Sequence, residues 1–150
     1  MTFPVQQFDE RPSRDVLGLQ VARLFSQRGT CFRAKVGAAV VLDGRVLVTG
    51  YNGPPANLAH CSNECFSSNV NGCTRSVHAE ANCIAYAARH GISINRATIY
   101  CTHVPCRNCA ELIINSGLSR VVYAEDYRLH DGLNLLRSAG VDLEKLDMIE

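Results

Sequence analysis

Ala97-Thr98-Ile99-Tyr100-Cys101-Thr102-His103-Val104-Pro105-Cys106-Arg107-Asn108-Cys109 reads as a buried strand that runs into a helix. Ala97 to Cys101 is the expected strand. Pro105 is expected to begin the helix, because its fixed φ and missing N–H suit the first helical turn. The helix should run to about Ser116 and stop at Gly117, and Arg120 to Ala124 forms the next strand.

The pattern continues on both sides. Downstream, Leu129 to Ser138 is a predicted helix closed at Gly140, followed by a short strand that includes Val141 and Leu143. Upstream, a helix is predicted from about His78 to Arg89, with Gly91 as its stop. Before it lies a long irregular stretch, Gly50 to Ser76, rich in Gly, Pro, Asn and Cys. Val36 to Leu42 and Arg45 to Thr49 are two strands joined by Asp43-Gly44, a hairpin turn signal. From Arg14 to Arg28 apolar residues recur at helical spacing and end at Gly29, leaving residues 1–13 as an N-terminal arm. Helix, hairpin, then strands alternating with helices implies one mixed sheet with helices on both faces. The 150 residues suffice for a single domain, 1–150, with one core.

Hydrophobic residues make up 47% and charged residues 19% of the chain, the composition of an ordinary globular protein. A formal net charge of +1 offers no basic stripe for long nucleic acid. No apolar run is long enough to span a bilayer, and Met1 to Asp15 lacks the apolar core of a secretory signal. The expected location is the cytoplasm. Disulfides are disfavoured in such a reducing compartment, so eight cysteines point to metal binding.

Two segments carry the chemistry. His78-Ala79-Glu80 and Pro105-Cys106-Arg107-Asn108-Cys109 together match the H-x-E and P-C-x-x-C signature of zinc-dependent nucleobase deaminases. Cys106 and Cys109, three apart at a helix start, share one face, and the helix N-terminus favours thiolate. His78 adds an imidazole. Three protein ligands leave a fourth tetrahedral position open, as a catalytic zinc requires, whereas a purely structural site fills all four. Glu80, two residues beyond His78, is placed to shuttle protons without being a ligand.

On these residues the chain resembles the deoxycytidylate (dCMP) deaminase family, within the cytidine deaminase-like superfamily, from about Cys31 to about Gly140. Lys35-Val36-Gly37-Ala38 is similar to that family's first strand and Gly50-Tyr51-Asn52-Gly53-Pro54 to its substrate loop. Ser76 to Asn82 and Tyr100 to Cys106 are similar to its two zinc segments, and Glu125-Asp126-Tyr127 to a late substrate-side motif. The resemblance implies a three-layer α/β/α sandwich around a five-stranded mixed sheet, and hydrolysis of dCMP to dUMP and ammonia. Other cytosine compounds (dCTP, a 5-substituted dCMP, deoxycytidine, an antibiotic nucleoside) are the alternative substrates. It further implies that Asn52, Gly53 and Pro54 meet the nucleotide, that the Ala79 N–H holds the pyrimidine carbonyl, and that Tyr127 closes over the ligand. A homo-oligomer, up to a hexamer, is expected on the same ground.

Six cysteines remain. Some deoxycytidylate deaminases carry a second, structural zinc with ligands at positions matching Cys31 and Cys61. The expectation is a closed Cys₄ site of Cys31, Cys61, Cys65 and Cys73, with His60 as a substitute ligand. Cys83 and Cys101 read as small apolar core residues.

Overall fold

The computed structural model describes residues 11–61, 73, 75–127 and 130–148. Helix α1 spans Arg14–Ser26, strand β1 Gly37–Leu42 and β2 Arg45–Tyr51. Helix α2 covers Ala79–His90, β3 Thr98–His103, α3 Arg107–Asn115, β4 Arg120–Glu125, α4 Asp131–Ser138 and β5 Asp142–Lys145. The five strands form one sheet in the order β2-β1-β3-β4-β5. β1 runs antiparallel to β2 and β3, while β3, β4 and β5 are parallel. The mixed five-stranded sheet matches the expectation.

Alternation along the strands sends side chains to both faces of the sheet. Ala38, Val40, Ile99, Cys101, Val121 and Tyr123 pack with Ala79, Cys83 and Ala87 of α2, Ile113 of α3 and Leu136 of α4. Ala39, Tyr100, Val122 and Ala124 face the other way, onto Leu19 and Ala22 of α1. Hence three layers, with α2, α3 and α4 on one face and α1 on the other. Cys83 and Cys101 are fully buried, and burial raises both thiols above their ordinary range.

The structure corrects several expected boundaries. α1 stops at Ser26 rather than Arg28; its N-cap is Ser13, whose hydroxyl accepts from the Val16 N–H at 3.1 Å. β2 continues to Tyr51, because the ladder pairs Gly37 with Tyr51 and Ala38 with Gly50. Pro105 lies outside α3: Cys106, in an extended conformation, is the N-cap and Arg107 the first helical residue. α4 begins at Asp131; residues 1–10 of the expected arm and Leu129 lie outside the described residues. Asp43 and Gly44 both have positive φ, as a two-residue hairpin of this type demands.

One polar knot ties α1 to the sheet. Arg120 of β4 reaches Asp15 of α1 at 2.7 Å, Asp142 at 3.1 Å and also Glu144, the latter two on β5. The Tyr100 hydroxyl donates to Asp15 at 2.8 Å. The Arg120 guanidinium holds the Asp15 carboxyl below the usual carboxylate range, against the opposing effect of burial. A depressed folded-state pKa contributes stability that is complete above the ordinary carboxylate pKa and lost as pH falls through the depressed value. Asp15→Asn should therefore unfold more easily in urea at pH 7, by about 1 kcal/mol for a partly solvated pair. Its deficit should shrink below about pH 4. A deficit constant from pH 7 to pH 3 would show that the charge of Asp15 contributes nothing.

Candidate metal centre and active site

His78 and Cys106 hold equivalent places: each is the N-cap of a helix, in extended backbone conformation, with no side-chain capping hydrogen bond. Cap residues usually spend their side chains on the first-turn N–H groups; these two turn theirs toward each other. His78 Nδ1 lies 3.4 Å from Cys106 Sγ and 3.5 Å from Cys109 Sγ. Each of the three residues offers a ligand atom within 4.8 Å of the other two. Tetrahedral zinc with Zn–S of about 2.3 Å and Zn–N of about 2.0 Å requires N···S separations of about 3.5 Å. The donor set therefore fits zinc in both chemistry and spacing.

Two close approaches make this convergence possible. A Cβ on Gly50 would stand 2.5 Å from the Ala79 carbonyl oxygen and 2.9 Å from Cys83 Sγ, so only glycine lets the start of α2 settle on β2. A Cβ on Gly132 would stand 2.2 Å from the Pro105 carbonyl oxygen, so α4 packs directly on the backbone that carries Cys106.

The three groups share protons. The Cys106 thiol is pushed down to about 4, first by its hydrogen bond with Cys109 and then by His78. Cys109, the donor in that pair, is pushed up. His78 is raised by its bond to Cys106. Glu80 is 3% exposed; burial pushes its carboxyl up to about 6, opposed by a hydrogen bond to its own N–H and by His78. A carboxyl poised there can both accept and release a proton near neutrality. His78 is exposed and Cys109 buried, so the cluster opens to solvent on the imidazole side. Among the described residues no fourth His, Cys, Asp or Glu joins the cluster.

The other expected site residues fall out as follows. Ala79 is fully buried at the first position of α2, where an N–H has no partner within the helix. Gly53 is buried and pairs with Val77, donating at 3.1 Å and accepting at 2.7 Å; Pro54 follows, half-buried. The Asn52 amide is turned inward: Nδ2 donates to the Ala34 carbonyl and Oδ1 accepts from the Val36 N–H, both at 2.9 Å. Tyr127 is exposed. Cys31, His60 and Cys61 line one cavity, Cys73 lies close enough to His78 to raise its pKa slightly, and Cys65 lies outside the described residues.

Residue-type reasoning assigned no role to Asn82 or Thr102. Asn82 Nδ2 donates to the Tyr51 carbonyl at 2.7 Å, fastening α2 to the end of β2. Thr102, 4% exposed, accepts from the Gly37 N–H and contacts His103 Nδ1, whose other nitrogen meets Glu125 at 3.2 Å. An amide among the alanines of a helix's first turn was the available signal for Asn82.

Residues 12–125 match the family described as the cytidine and deoxycytidylate deaminase zinc-binding region. The chain is 38% identical over 142 residues to ComE operon protein 2 of Bacillus subtilis (strain 168), covering 94% of this chain and 75% of that one. It is 42% identical over 128 residues to the deoxycytidylate deaminase of Mycobacterium phage D29, covering 77% and 98%. With the deoxycytidylate deaminase of Saccharomyces cerevisiae it shares 34% identity over 148 residues, 93% of this chain but about half (47%) of that relative. The crystal structure of dCMP deaminase from cyanophage S-TIM5, in complex with dCMP and dUMP, superposes with a TM-score of 0.81 at 35% identity, over 91% of this chain and 99% of that one.

Cys109→Ser should lose metal from this centre, and Glu80→Ala should keep it, as read by plasma emission on the purified proteins. Equal metal loss in both variants would make Glu80 a ligand and exclude a separate proton-carrying role.

Proposed function

The chain belongs to the cytidine and deoxycytidylate deaminase family, and from that premise we propose that it hydrolyses dCMP to dUMP and ammonia. The observation that carries the reading is a buried carboxylate, Glu80, beside three zinc-type ligands that leave one side open. His78, Cys106 and Cys109 would hold the zinc. Bound there, it supplies Lewis acidity that brings a water molecule's pKa toward neutrality.

The remaining work falls to the chain. Glu80 takes a proton from the attacking water and gives it to the ring nitrogen as oxygen adds at C4 of the cytosine. A second proton passes through the same carboxylate to the amino group, the C4–N bond breaks, and ammonia leaves a carbonyl behind. The Ala79 N–H, at the positive end of α2, is aimed to hold the pyrimidine oxygen. Gly53 and Pro54 give the sugar a close backbone wall. Asn52 shapes that wall, with its own amide largely engaged by Ala34 and Val36. Tyr127 closes over the bound nucleotide from its exposed position.

Three further elements belong to the same proposal. A second, closed zinc on Cys31, Cys61, Cys65 and Cys73 is supported by Cys31 and Cys61 lining one cavity, with His60 on the same wall. A homo-oligomer is supported by family membership and by exposed apolar side chains such as Leu24 and Tyr86. The whole chain acts as one catalytic domain in the cytoplasm, where reduced thiols persist; no described helix is long and apolar enough to cross a membrane.

Purified protein is expected to release ammonia from dCMP, with the matching ultraviolet change. Glu80→Gln should lower kcat by at least about a hundredfold while retaining zinc. Turnover of deoxycytidine without dCMP would overturn the nucleotide reading. Two zinc ions per chain are expected; one per chain after gentle purification would remove the second site.

A further inference from the structure

We propose that Asn82 is a positioning residue for the deamination, holding the strip of residues 51–53 at a fixed distance from Glu80. The inference rests on the deaminase reading above, in which that strip walls the sugar and Glu80 moves the protons. Asn82 is the fourth residue of α2, one turn beyond His78. Asparagine is a weak helix former, because its side chain competes for nearby backbone groups. Here the amide is spent outside its own helix: Nδ2 donates to the Tyr51 carbonyl at 2.7 Å.

The margin of the sheet explains why that carbonyl needs a partner. β2 is a margin strand. Along an antiparallel pair, successive residues aim their N–H and C=O alternately at the partner strand and away from it. The Asn52 N–H donates to the Val36 carbonyl at 3.2 Å, so Asn52 faces the β1 side. Tyr51 and Gly53 therefore face outward, where no strand follows. Gly53 meets Val77 there, donating at 3.1 Å and accepting at 2.7 Å, and the Tyr51 carbonyl meets Asn82. Backbone polar groups shielded from water are costly without a partner, and the Tyr51–Asn82 bond is part-buried.

Val77 and Asn82 bracket His78, Ala79 and Glu80 in the chain. The strip is thus fastened to the catalytic turn just before it and just after it. Two attachments fix both a separation and a rotation, whereas one leaves a hinge. The close seat of Gly50 on the Ala79 carbonyl limits how near the strip can come; Asn82 limits how far it can move away. A nucleotide lying on the strip then presents its C4 to Glu80 at a set depth. Attack needs reacting atoms about 3–3.5 Å apart, and a misplacement of about 1 Å costs about a hundredfold in rate. The cost falls on chemistry more than on binding, since a loosened wall still touches the sugar.

The test uses the zinc-loaded full chain with its Asn82→Ala and Asn82→Gln variants. In Asn82→Ala the single-turnover rate with dCMP should fall about tenfold or more, with the calorimetric Kd for dUMP within about threefold of the parent. Zinc per chain should be unchanged. Hydrogen exchange should quicken at the Gly53 N–H and not in β3, since only a local fastening is lost. The urea midpoint should shift little, because alanine's helix preference offsets the missing bond. Asn82→Gln keeps an amide donor and should recover part of the rate. An alanine variant with parental exchange at Gly53, or with a parental rate, would overturn the inference. So would a glutamine variant no faster than the alanine one, or zinc lost together with activity. Failure of the deaminase reading looks different: the parent would release no ammonia from dCMP, while exchange at Gly53 would still respond to Asn82.

Discussion

The site depends on two helix starts being brought to one point. His78 and Cys106 each leave their helix uncapped and turn toward the other, so that an imidazole nitrogen and two sulfurs stand 3.4 and 3.5 Å apart. Uncapped starts leave first-turn N–H groups without side-chain partners and focus positive potential on one spot. That potential favours thiolate sulfur. Gly50 and Gly132 are what the arrangement demands of the surrounding fold, since any side chain there would push α2 or α4 off its seat.

Burial divides the labour among the ionisable groups. Glu80 is buried, and loss of solvation keeps its proton affinity near neutrality. Cys106 moves the other way because Cys109 and His78 donate to its sulfur. The buried thiols Cys83 and Cys101 have no such donors and remain protonated packing groups. Of these four thiols, Cys83 and Cys101 are raised by burial and Cys109 by donating to Cys106, while Cys106 falls because it accepts.

Most of the architecture was legible in the order of apolar runs and glycine stops. The strands at Ile99 and Val121, buried on both faces, and the Asp43-Gly44 turn declare themselves by pattern alone. The ligand set was legible because H-x-E and C-x-x-C spacings carry a chemical meaning that survives without coordinates. Helix starts were less accurate: Pro105 tolerates a first turn, yet the extended backbone of Cys106 makes it the cap, so that the helix starts at Arg107, two residues later than expected. The inward turn of Asn52 was not legible, since its partners, the backbone of Ala34 and Val36, lie 18 and 16 residues away. Nor was the knot of Asp15 with Arg120, which spans 105 residues, because no local spacing records a contact of that range.

The final strand bears on how the molecule behaves in a crowded solution. β5 is four residues long, and its Asp142, Glu144 and Lys145 are exposed at the margin of the sheet. An open sheet margin is a template on which a foreign chain can extend the ladder into a fibril. Brevity and a row of ionised side chains make this one a poor template, so the residues that steady α1 through Arg120 also guard the protein against adding a sixth strand from a neighbour.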